Sequence, residues 1–163
     1  MLRSLAVGLS VSAAALVLAT GAAAALSLAL GAGPTFTLTL DGSDKTATAS
    51  FTMTVTNTGA TGTLGWNITA SQTPLTSGSN SLGYATVTGV TASACSGGGC
   101  ADPTNSVTFP IALSGTAVKI YNAALNTGRG TNPLTANLSL GVPGNAFAGS
   151  YTSTMTLSIA SGP

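Results

Sequence analysis

The side chains able to do chemistry are few. The sequence contains no His, and its acidic residues are three aspartates, Asp41, Asp44 and Asp102. The cations are Arg3, Lys45, Lys119 and Arg129, and the cysteines are Cys95 and Cys100. General acid–base catalysis most often recruits His or a carboxylate whose environment tunes it. Here there is no Glu either, and Asp41 and Asp44 read first as turn residues. Zinc sites draw on His, Cys and carboxylate ligands, and two thiols alone cannot complete a tetrahedron. Nucleic-acid binding needs a clustered basic surface, which four scattered cations do not make. The inventory predicts a protein that is not an enzyme, holds no cofactor or metal, and has no nucleic-acid partner.

The remaining polar groups have structural readings. Asp41-Gly42-Ser43-Asp44 reads as a hairpin turn between two strands. Its paired carboxylates allow calcium as an alternative, without the ligand ladder of a dedicated calcium loop. Asp102 precedes Pro103 and reads as a turn start. Lys45 or Lys119 could crosslink to an Asn, but that chemistry needs a buried carboxylate from a supply of three.

The first segment sets the compartment. Met1-Leu2-Arg3 is a short basic start, Leu5 to Leu18 is apolar, and Ala22-Ala23-Ala24-Ala25 follows. Basic, apolar and small-residue blocks in that order read as a secretory signal peptide, residues 1–25, cut after Ala25 or a residue or two earlier. The alternative is a retained anchor, since the apolar run continues to about Leu30. Contact with the membrane is expected only through this leader. Removing Arg3 leaves three cations and three acids, a mature chain of formal charge near zero. Export also favours pairing of Cys95 with Cys100 as a disulfide, and the intervening Ser96-Gly97-Gly98-Gly99 lets the chain turn tightly. The expectation is a secreted, extracellular protein.

Residues 26–163 read as one domain of strands. Phe36, Leu38 and Leu40 alternate with Thr35, Thr37 and Thr39. Phe51, Met53 and Val55 alternate with Thr52, Thr54 and Thr56. Leu64, Trp66 and Ile68 keep the beat, as do Val107 to Leu113 and Leu134 to Leu140. The longest run sets Tyr151, Met155, Leu157 and Ile159 against Thr152, Thr154, Thr156 and Ser158. Strict period-two alternation rich in Thr is the pattern of half-buried strands. Shorter strands are expected at Leu26–Leu30, Tyr84–Thr91 and Val118–Asn122. Asn57 to Gly62 reads as a second hairpin turn, and Ser71 to Leu82 as the longest irregular stretch. Eight or nine short strands at this spacing predict an all-β fold: an antiparallel β-sandwich of Greek-key, immunoglobulin-like kind, with a barrel as the alternative.

Two motifs carry a resemblance. Gly65-Trp66-Asn67-Ile68-Thr69 follows a Thr-rich strand, and Ser150-Tyr151-Thr152-Ser153-Thr154-Met155 opens the last one. Together with the leader they resemble the WxL domain of Gram-positive surface proteins, in a divergent form. Ile68 stands in place of the Leu of the first motif, and Met155 in place of the Leu of the second. The resemblance implies non-covalent association with the cell wall through peptidoglycan. Trp66 and Ile68 are two apart and share one strand face. They therefore read either as core packing between sheets or as a rim where Trp66 stacks on a sugar. Tyr151 and Met155, four apart, carry the same two readings.

Composition adds a competing function. Only 4% of residues are charged, against about 25% in ordinary soluble domains. Exposed sheet edges are normally guarded by charge or Pro, and near-zero net charge favours association. A self-assembling surface-layer or filament subunit is the alternative, with Leu26–Leu30 adding to a neighbour's edge. The expected partners are thus a cell-wall glycan such as peptidoglycan, further copies of the chain, or other surface proteins. Thr-rich faces suit contact with a neutral polysaccharide, although Thr is also an ordinary exposed strand residue.

Overall fold

The computed structural model describes residues 26–58 and 64–163 in full and residues 3–13 as a strand. The first strands are β1 (Arg3–Ala13), β2 (Leu26–Leu30), β3 (Thr35–Leu40), β4 (Lys45–Asn57) and β5 (Trp66–Gln72). Next come β6 (Leu75–Ser77), β7 (Asn80–Gly83), β8 (Thr86–Ala92) and β9 (Ser96–Ala101). The last are β10 (Ile111–Ala112), β11 (Val118–Ala123), β12 (Arg129–Val142) and β13 (Ser150–Ser161). Among the described residues there is no helix long and apolar enough to cross a membrane.

The strands form two sheets, a β-sandwich. The first sheet has the order β11-β5-β13-β1-β3, with β6 on β13 and β7 on β6. The second has the order β10-β8-β12-β4-β2, with β9 on β12. Every ladder is antiparallel except that of β1 with β13, which is parallel. The seven and six strands exceed the expected eight or nine. The surplus comes from β1, from the short pair β6–β7 and from the Gly-rich β9.

The alternating residues build the core as their period requires. On β12, Leu134, Ala136, Leu138, Leu140 and Val142 are buried, and on β4 so are Phe51, Met53 and Val55. The facing sheet contributes Phe36, Ile68, Leu157 and Ile159. Burying a side chain of this size stabilises the fold by roughly 1.5–3 kcal/mol. The Thr residues fall on the other side: Thr35, Thr37, Thr39, Thr152 and Thr154 are all exposed.

Four local expectations are corrected. Asp41–Asp44 is not a hairpin turn, because β3 lies in one sheet and β4 in the other; the turn carries the chain across the sandwich. The same holds for the connection from β4 to β5, part of which lies outside the described residues. Ser71–Leu82 is not irregular throughout. It holds the β6–β7 hairpin, with Leu75 fully buried and Gly78 at φ 58° in the turn. The opposite error occurs at Val107–Leu113, where only Ile111–Ala112 is strand. Residues 101–110 do alternate between half-buried and exposed, so the period reports packing there. Pro110 has no N–H to give a ladder, and side-chain amides take over. Asn105 Oδ1 accepts from the Val107 and Asn122 amides at 3.2 and 3.1 Å, and Asn122 Oδ1 accepts from the Ser106 amide at 2.9 Å.

Candidate functional site

The motif residues converge inside the sandwich. Trp66, Ile68, Tyr151 and Met155 are each at most 1% exposed. Trp66 Nε1 donates to the Gly128 carbonyl at 2.8 Å, and the indole lies 5.8 Å, centroid to centroid, from the Tyr121 ring. That hydrogen bond satisfies the polar tip of a buried Trp. Gly128 sits at φ 69°, and a Cβ there would stand 2.9 Å from the indole Cε2, so only glycine allows this approach. The Gly128 carbonyl also accepts from Asn132 Nδ2 at 3.1 Å. Tyr151 Oη reaches back to the Phe147 carbonyl at 3.1 Å. The structure thus places all four motif residues in the core, and no face of Trp66 is left for a sugar ring.

The aspartates are spread out and engaged in holding loops. Asp41 pairs with Lys45 Nζ at 2.7 Å and accepts from the Ser43 hydroxyl and amide at 2.7 and 3.1 Å. The Lys45 ammonium, with Ser43 second, holds the exposed Asp41 carboxyl well below the usual carboxylate range. Asp44 Oδ1 accepts from the Gly144 amide at 2.8 Å, tying the sheet-crossing turn to the loop before β13. Asp102 Oδ1 accepts from the Cys95 amide at 2.7 Å. No three His, Cys, Asp or Glu side chains cluster as metal ligands among the described residues. Lys119 is exposed and Lys45 is ion-paired, so neither meets the burial an Asn crosslink needs. Cys95 and Cys100 form a disulfide, with Cα atoms 6.0 Å apart. Beside it Arg129 borders a shallow cleft with Asn57, Ser96 and Gly98.

One arrangement has the geometry of a binding site, and it lies at the N-terminal strand. β1 runs between β13 and β3, parallel to the first and antiparallel to the second. Its pairing with β13 covers eight positions, Ala6↔Ser150 to Ala13↔Leu157. Its pairing with β3 covers six, Arg3↔Leu40 to Gly8↔Thr35. β3 has no other ladder partner among the described residues. The slot that β1 fills is therefore one strand wide. It is bordered by two edges rich in unpaired backbone groups whenever β1 is absent. In register, the positions of Val7, Leu9 and Val11 match Tyr151, Ser153 and Met155, all buried on β13.

A signal for this strand is present in the sequence of residues 3–13. Leu5, Val7, Leu9 and Val11 alternate with Ala6, Gly8, Ser10 and Ser12. An apolar leader core has no need of that period, whereas a strand does. The same segment carries both patterns, the basic and apolar blocks of an export signal and the alternation of a strand. Residues 14–25, which hold the expected cut, lie outside the described residues. Compared with known proteins, the sequence matches no family model and no curated protein.

Proposed function

We propose that this chain is an exported, non-catalytic surface protein that assembles with copies of itself by strand addition at the β13–β3 slot. The observation that carries the reading is that, among the described residues, β3 pairs only with β1, while residues 1–25 read as a removable leader. A chain cut near Ala25 would lose β1 and with it the ladder of β3. The loss covers eight positions on β13 and six on β3. At about 0.5–1.5 kcal/mol net for each backbone hydrogen bond, the sum rivals the total stability of a small domain, about 5–15 kcal/mol. An empty slot is thus strongly disfavoured, and a strand from another copy is the replacement always at hand. The test is to express the full chain with export, sequence the N-terminus of the released protein, and examine it by light scattering and negative-stain microscopy. The expected product begins between about Ala24 and Leu28 and is polymeric. A monodisperse monomer with that N-terminus overturns the reading.

A second reading, cell-wall association through peptidoglycan, rests on the resemblance to the WxL domain. The exposed Thr35, Thr37, Thr39, Thr152 and Thr154 beside the slot support it. Rows of hydroxyls and methyls at about 7 Å along a strand suit a neutral glycan. Binding to purified peptidoglycan should then depend only weakly on salt, because few ion pairs contribute. Failure of the folded protein to sediment with peptidoglycan at any ionic strength removes this reading.

A further inference from the structure

Resting on the strand-addition reading, we infer that the donor is Leu26–Leu30 of the next copy, inserted parallel to its acceptor's β13. This segment has the pattern of the strand it replaces. Leu26, Leu28 and Leu30 alternate with Ser27 and Ala29, as large and small residues alternate in β1. It is held along one edge, with Leu28 as its one buried residue. β2 lies at one end of its sheet and, among the described residues, pairs only with β4, over five positions. Where β13 and β3 overlap, at the positions of Ala6, Val7 and Gly8, the slot offers a partner on both sides. Moving from a one-sided edge to a two-sided slot increases the hydrogen bonds available to the same residues. The other outer strands of its own sheet are poor donors: β10 has two residues, and β9 is Gly-rich and tied by the disulfide.

The connection favours a head-to-tail chain. Gly31, Ala32 and Gly33 are exposed and, with Pro34, lead from β2 directly into β3. Four residues span about 13 Å when extended. A donor strand leaving the slot of one copy can therefore reach its own β3, which borders the next slot. The donor and acceptor surfaces differ, so the contact is heterologous and propagates as a filament instead of closing as a dimer.

Paired cysteines in the exported full chain test this. Ala29 and Thr152 are exposed and Thr54 is half-buried, so substitution there spares the core; circular dichroism checks the fold of each variant. In Ala29→Cys/Thr54→Cys the new cysteines face each other in the self-paired seat, since Ala29 is in register with Thr54. In Ala29→Cys/Thr152→Cys they meet only when Leu26–Leu30 lies in a slot, a neighbour's if the crosslink joins two chains and its own if it closes within one, which would overturn the proposal; Ala29→Cys/Thr154→Cys covers a register two residues further on. The expected result is a reducible ladder of multimers on a non-reducing gel from one of the last two variants. Excess synthetic peptide of sequence Arg3–Ala13, added before assembly, should abolish the ladder. Polymers that form while only the Thr54 pair crosslinks, within single chains, overturn Leu26–Leu30 as donor and leave strand addition by another segment standing. Absence of polymer in the wild type and all variants overturns both the donor and the assembly reading.

Discussion

Replacing Trp66 by alanine should cost about 3–5 kcal/mol, the range for truncating a buried large aromatic. The position is fully buried, and the indole packs beside Tyr121 and against the Gly128 turn. The ring supplies most of the loss, because it fills space that the rigid sheet on either side cannot close. The hydrogen bond from Nε1 adds less than its isolated value. Once it is gone, the Gly128 carbonyl still accepts from Asn132 Nδ2, so no buried acceptor is orphaned. Trp66→Phe should therefore recover more than half of the loss, since it restores much of the ring without the donor. The assay is guanidinium unfolding followed by circular dichroism, because Trp66 is the only Trp and its removal also removes the fluorescent probe. A Trp66→Ala variant whose midpoint falls by the equivalent of under 1 kcal/mol would refute the packing argument. A Trp66→Phe variant as unstable as Trp66→Ala would refute the division between ring and donor.

Two further outcomes follow from the same geometry. Replacing Cys95 and Cys100 by serine should lower stability by about 2 kcal/mol, the chain-entropy value for so short a loop. It should leave assembly intact, because β9 belongs to the sheet that does not contain the slot; denaturant midpoints and particle size on the same sample check both. Burial, with the Asp102 charge second, raises the Tyr121 hydroxyl pKa above its ordinary value of 10.0. The neutral phenol is thus favoured by folding, so its contribution is fully present below about pH 10 and is lost as pH rises beyond it. Midpoints measured from pH 8 to 12 should fall less steeply for Tyr121→Phe than for wild type, and parallel curves would contradict this.

The long strands were legible because each has one face in the core and the other in water. On β13, Tyr151, Met155, Leu157 and Ile159 are buried while Thr152 and Thr154 are exposed, and composition alone distinguishes such faces. Sheet membership was not legible. Asp41-Gly42-Ser43-Asp44 has the residues of a tight turn, yet a turn that reverses along one sheet and a turn that crosses the sandwich use the same residue types. What separates them here is the ladder each strand joins, β3 on β1 and β4 between β12 and β2, partners that no local pattern contains. The β6–β7 hairpin was hidden for another reason: its ladder is short and Leu75 is its single fully buried hydrophobic residue. At the candidate site, the motif residues were identified without their role, since spacing by two or four marks a shared face and does not say which medium the face meets.

The sparse charge and the slot bear on the same physical problem. A strand edge in water is a template for further pairing, and proteins that must stay monomeric guard such edges with lysine, proline or inward charge. The two edges bordering the slot are Thr35–Leu40 and Ser150–Leu157, and neither contains a charged residue or a proline. Lys45, the nearest cation in sequence to β3, is held by Asp41 in the turn beyond it. With β1 in place these edges are paired and need no guard. With β1 removed they match what strand addition requires: extended, neutral, and flanked on the outer surface by threonines that tolerate close packing. A monomeric fate for the cut chain would ask these residues to resist pairing, for which they carry no device. Introducing one supplies the test: Thr37→Lys with Thr152→Lys places cations beside the slot at exposed positions, and should reduce assembly while leaving the folded core unchanged.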